Sequence, residues 1–165
     1  MRSEFDIKMT TKAMYNFLMY HTYHTMNGIF SVVAGLALIV FFFVQRGGEG
    51  QNTWMFLLFG VLFIVYLPWT LYLRAAKQAK LNAVFQKPLH YELDGQRIRI
   101  AQGESSSETG WDTVRKVRET GQSLLLYTTE RNAFIWIKDQ MGAEEAQVRA
   151  LICKMVKPEC VKLKK

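Results

Sequence analysis

The chain has 165 residues, 21 Lys and Arg against 14 Asp and Glu for a formal net charge of +7, and 50% hydrophobic residues. The apolar residues are concentrated in two blocks of the N-terminal half, which excludes an evenly patterned soluble domain. The basic excess is moderate and suits an anionic membrane surface at least as well as nucleic acid.

In "EFDIKMT" (residues 4–10), Phe5, Ile7 and Met9 alternate with polar neighbours, the period of a half-buried strand. A lone strand is unstable, so its partners are expected elsewhere in the chain. Thr10 or Thr11 suits a helix cap. Met14, Phe17, Leu18 and His21 follow helical spacing, which predicts one helix running unbroken into the first apolar block.

Residues 28–44 and 54–73 carry no charged side chain. At 1.5 Å per residue the second is about 30 Å long and the first about 25 Å, so two transmembrane helices are expected. Reading them as core helices fails, because so short a chain has too little material to cover two helices that are apolar all round. A cleaved signal peptide fits poorly, since a patterned strand and helix precede the first block and no small-residue cleavage site follows it. The Gly-rich stretch 45–53 reads as a tight polar turn, making the spans a hairpin. Ser31 and Gly35 would let the first helix approach the second near Gly60.

Trp54 sits at one end of the second span, and Trp69 and Tyr72 sit at the other, where amphipathic rings favour the interface. Arg74, Lys77 and Lys80 follow with no acidic residue among them. Each contributes on the order of 1 kcal/mol of attraction to an anionic leaflet, so these six residues are expected to anchor the membrane interface. The positive-inside bias puts both termini in the cytoplasm. Residues 74–87 then read as a continuous helical extension ending before Pro88.

In "PLHYELDGQRIRI", alternating Leu89, Tyr91 and Leu93 lead through Asp94-Gly95 to Ile98 and Ile100, a hairpin signal. Further strands are expected in "SETGW", "VRKVRE", "SLLLYTT" and "AFIWIK", six in all, and then a helix over 143–157 that Pro158 ends. The organisation expected is a membrane α + β chain. Residues 1–27 form an N-terminal strand and helix, 28–73 a transmembrane hairpin, 74–87 a helical extension, and 88–165 a β domain that the N-terminal strand joins. Cys153 and Cys160, seven apart on one predicted helix, lie about 10 Å apart along its axis, too far for a disulfide.

Trp111, Val114, Val117 and Glu119 in "WDTVRKVRE", the apolar strand "AFIWIK", the closing helix from Ala143 and the aromatic entry "YNFLMYHTYH" resemble the YcxB-like family. These are small bacterial membrane proteins with two spans and a C-terminal domain similar to pleckstrin-homology folds. The resemblance implies that fold and a bacterial cell-membrane location, and it carries over no activity.

No catalytic residues, metal or cofactor are expected. His21 and His24 share a helical face without a visible third ligand, and His90 has no neighbouring nucleophile. "QGESSSETG" lacks the strand-to-helix elbow of a reactive serine, and the spans contain no ionisable residue of the kind that marks an ion pathway. The remaining lead is basic. Arg97 and Arg99 alternate with Ile98 and Ile100, and Arg115, Lys116 and Arg118 cluster on a later strand; all five are candidate contacts for anionic lipid or an acidic partner. Nucleic acid is not expected as a partner, for want of an aromatic stacking platform. The sequence thus points to a non-enzymatic membrane protein whose cytoplasmic domain is an interaction or regulatory module. Its expected partners are membrane lipids and a protein or a second copy of the chain. The alternative is an accessory subunit of a membrane transporter complex.

Overall fold

The computed structural model describes residues 2–45, 53–130 and 132–163. Strand β1 (Ser3–Ile7) is followed by helix α1 (Thr11–Tyr23), the long helices α2 (Met26–Gln45) and α3 (Trp54–Leu81), and one short helical turn, α4 (Ala83–Gln86). The turn expected between the long helices falls almost wholly outside the described residues.

Helices α2 and α3 are long and apolar enough to cross a membrane. Only 17% and 11% of their apolar windows are buried, whereas a core helix would be mostly covered. Phe43, Val44, Leu58 and Trp69 are all more than 60% exposed. Contiguous apolar surface on that scale needs lipid or a partner to cover it. The two backbones touch where side chains vanish. A Cβ placed on Gly35 would lie 3.0 Å from the Gly60 carbonyl oxygen, and one on Gly60 would lie 2.9 Å from that of Gly35. Ser31 Oγ donates to the Phe63 carbonyl at 3.3 Å along the same seam. Gly60→Leu is therefore expected to cost about 1–3 kcal/mol of hairpin packing. In detergent this would be read as faster hydrogen exchange through α2 and α3. Gly95→Ala, whose new Cβ meets nothing within 4 Å, should leave exchange unchanged.

The helix expected to run unbroken into the first span is interrupted at His24 and Thr25. Thr10 caps α1, its hydroxyl accepting from Ala13 N at 3.1 Å. At the other end, side chains compete for the last carbonyls. Thr25 Oγ1 donates to Thr22 O at 2.6 Å, and the His24 backbone N–H and ring Nδ1 both turn to Tyr20 O. A carbonyl only accepts, so Nδ1 carries the proton. Gly28 completes the break, since a Cβ there would collide with the Thr22 carbonyl. A second interruption divides the expected 74–87 extension. Asn82 leaves the helix in extended geometry and caps α4 through Oδ1, which accepts from Val84 N at 3.1 Å.

Six strands and two helices follow: β2 (Leu89–Leu93), β3 (Arg97–Gln102), β4 (Ser105–Gly110), β5 (Lys116–Glu119), β6 (Ser123–Tyr127), β7 (Ala133–Ile137), α5 (Lys138–Met141) and α6 (Glu144–Met155). They form two four-stranded sheets, ordered β1-β2-β3-β4 and β7-β6-β5-β8. The last member, β8 (Val161–Lys162), lies parallel to β5 and was not expected from the sequence. It is only two residues long, too short for a periodic signal. Helix α6 ends before Pro158, so Cys160 sits in a separate 3₁₀ turn and not on the helix of Cys153; both thiols are free.

β1 pairs antiparallel with β2, bringing Phe5 opposite Tyr91 and Ile7 opposite Leu89. Alternation buries Ser3, Phe5 and Ile7. Phe5 stacks on Tyr91 at 5.5 Å and meets the edge of Trp136 at 5.4 Å, which joins the two sheets through one aromatic cluster. The outer edge of β1 is closed by the helices: Lys8 N donates to Gln140 Oε1 at 2.7 Å, and Gln147 donates to Arg2 O at 2.8 Å.

Candidate functional site

The five basic residues singled out in the sequence do not form one patch. Arg97 and Arg99 stand on β3 among carboxylates. Arg97 Nη1 is 2.6 Å from Glu108 and its Nε is 3.6 Å from Asp94, while Arg99 is 3.5 Å from Glu92 and 3.7 Å from Glu108. Asp94 is fixed as an anion by the backbone N–H groups of Gln96 and Arg97, which hold its carboxyl below the usual range. Exposed pairs of this kind contribute about 0–1 kcal/mol each, and they cancel the positive field of this face.

Arg118 is also engaged. Its Nη1 donates to Val117 O at 2.7 Å and Cys160 O at 3.1 Å, tying the turn after α6 to β5. Arg115 and Lys116 differ. Both are exposed, and neither has a carboxylate partner among the described residues.

These two cations line a cavity of about 590 Å³ between the second sheet and the end of α1. The sheet wall is set by register: Lys116 lies opposite Tyr127 in the β5–β6 ladder, and its ammonium sits 5.5 Å from the Tyr127 ring centre. Arg115 is fixed beside it by its own N–H, which donates to Tyr127 O at 2.8 Å. The helix wall is Tyr20, His21, His24 and Thr25, and Thr129 and Glu130 close the rim. Aromatic contacts hold the walls together. His21 stacks on Phe17 at 6.0 Å and on Tyr127 at 6.2 Å, and Tyr20 stacks on His24 at 4.0 Å.

The electrostatics are positive. Burial, together with Arg118 and Lys162, pushes the Lys116 ammonium below its ordinary range. Burial and then Tyr20 push the Tyr127 hydroxyl up to about 12, so it remains a hydrogen-bond donor across physiological pH. The cavity therefore presents two cations beside Tyr20 and Tyr127.

The sequence singles out Arg115 and Lys116, but it offers His21 and His24 only as a helical pair without a third ligand and Tyr20 only as part of the aromatic entry to the first span, and it assigns Thr25, Tyr127, Thr129 and Glu130 no role. The usable signal was the run "YHTYHT" at the entry to the first span; the strand facing it was fixed only by tertiary pairing. Among the described residues no group of three His, Cys, Asp or Glu side chains is placed to hold a metal ion. The interface residues lie along α3, with Trp54 against Phe42 at one end, and Trp69, Arg74, Lys77 and Lys80 exposed toward the other. Tyr72 is half exposed and meets Tyr15 of α1 edge-on at 5.8 Å.

The residues on which the family resemblance was drawn turn out to be structural. Trp111, Val114 and Val117 are buried, Trp111 Nε1 donates to Asp94 O at 2.8 Å, and Glu119 is a buried ion-pair partner of Arg149 and Lys138. No curated protein and no solved structure matches the chain. The two exposed apolar helices fit a membrane protein. Over residues 93–152, from the end of β2 into α6, the chain is similar to the family whose model is described as YcxB-like protein.

Proposed function

We propose that the chain is an integral protein of a bacterial cell membrane, anchored by α2 and α3 as a two-span hairpin with both termini in the cytoplasm. Its β domain, which we read as pleckstrin-homology-like from two antiparallel-rich sheets closed by α6, is a non-enzymatic, membrane-proximal interaction module. The observation that carries this reading is the β1–β2 pairing. The strand before the first span and the strand after the second belong to one sheet, which supports both flanks lying on the same face of the bilayer. Arg74, Lys77 and Lys80, exposed beyond the second span, favour the cytoplasmic face.

The two native cysteines provide the test. Cys153 is exposed on α6. A membrane-impermeant maleimide is expected to leave it unlabelled on intact cells and to label it after permeabilisation. Labelling on intact cells would overturn the orientation.

A further inference from the structure

In the two-span reading proposed above, the cavity between the end of α1 and the β5–β6 pair would lie at headgroup depth. Thr25, in its wall, precedes by three residues Gly28, where the apolar window of α2 begins, a rise of about 4.5 Å. The lining suits phosphate. Arg115 offers a planar fork and Lys116 a compact charge, both without a carboxylate partner among the described residues, and Tyr20 of α1 and Tyr127 of β6 line opposite walls. Glu130 is the one acid in the lining among the described residues and is exposed at the rim. The volume, about 590 Å³, falls within the range of small-molecule sites. Of the other arginines in that set, Arg97 and Arg99 are already matched by Glu92, Asp94 and Glu108, and Arg118 is held by the Val117 and Cys160 carbonyls.

We infer that this cavity binds a phosphate group, carried by a phospholipid headgroup at the bilayer surface or by a soluble phosphoester, with Arg115 and Lys116 as its principal ligands. The inference deepens the interaction-module reading and rests on it for the position of the cavity at the membrane.

The test uses the full chain in a mild non-ionic detergent, followed by native mass spectrometry during titration with phosphatidylglycerol, glycerol 1-phosphate and, as a phosphate-free control, diacylglycerol. Phosphatidylglycerol is expected to bind saturably and diacylglycerol not to bind. Arg115→Gln combined with Lys116→Gln should weaken binding about tenfold or more for each cation removed. Glu130→Gln should strengthen binding, an opposite sign that a merely damaged fold would not produce. The pair Arg97→Gln and Arg99→Gln should bind as the unaltered chain does. Glycerol 1-phosphate that competes at concentrations similar to the lipid supports a soluble ligand; failure to compete supports the headgroup. Unchanged affinity in the Arg115/Lys116 double variant, equal binding of diacylglycerol, or no binding of either phosphate compound overturns the inference. A failure of the membrane reading would show separately, as surface labelling of Cys153 on intact cells.

Discussion

Glu119→Ala is expected to cost about 3–5 kcal/mol of folding stability, because it removes the partner of two cations that the fold has drawn out of water. The Glu119 side chain is only 2% exposed. Arg149 approaches it through Nη2 at 2.6 Å and Nη1 at 3.0 Å, and Lys138 is its second ion-pair partner. The hydrogen bond to Glu119 raises the Arg149 guanidinium above its ordinary range. Glu119 ends β5, Lys138 opens α5 and Arg149 lies within α6, so one carboxylate holds both helices to the sheet. Arg149→Ala should cost less, about 1–3 kcal/mol, since Lys138 still neutralises the buried carboxylate. Thermal melting of the full chain in mild detergent, followed by near-ultraviolet circular dichroism, checks both. A Glu119→Ala shift of less than about 0.5 kcal/mol, the range of an ordinary surface change, would contradict the buried network.

Deleting residues 1–9 is expected to unfold the β domain while leaving the chain in the membrane. Phe5, Ile7 and Met9 are all buried. Truncation costs of about 3–5 kcal/mol for Phe and 2–5 for each of Ile and Met sum to about 7–15 kcal/mol. That equals the whole stability of an ordinary domain, about 5–15 kcal/mol. Phe5→Ala alone should cost about 3–5 kcal/mol, since it takes away the ring that bridges Tyr91 and Trp136. The deleted protein should sediment with membranes, lose its near-ultraviolet signal and yield its C-terminal half rapidly to protease. A deleted chain that melts like the full one would show that β1 is dispensable.

Much of this architecture is legible without coordinates, because the decisive signals are periodic and local. The apolar blocks, the alternation at Leu89, Tyr91 and Leu93, the Asp94-Gly95 turn and the helix that stops before Pro158 each depend on neighbouring residues only. What was not legible depends on competition or on distance. The break at His24 and Thr25 arises because two side chains win carbonyls from the helix, and composition does not reveal which competitor wins. Residues 74–87 look helical throughout, yet Asn82 caps a new turn instead of continuing the old one.

The site shows the same division. All five basic residues were visible, but their pairing was not. The β3–β4 register sets Glu108 opposite Arg99 and diagonal to Arg97, so both arginines reach it, while Arg115 and Lys116 face Tyr20 and His24 across a separation of about ninety residues.

The β1–β2 ladder has a consequence for how the protein is made. The ribosome delivers Ile7 first, and its ladder partner Leu89 emerges only after 82 further residues (89 − 7) have been synthesised, including both apolar helices. At about 5–20 residues per second that delay is about 4–16 s. The leading strand must therefore wait, unpaired, and in the two-span topology proposed above insertion of the hairpin into the bilayer would come before closure of the first sheet in the birth of this molecule.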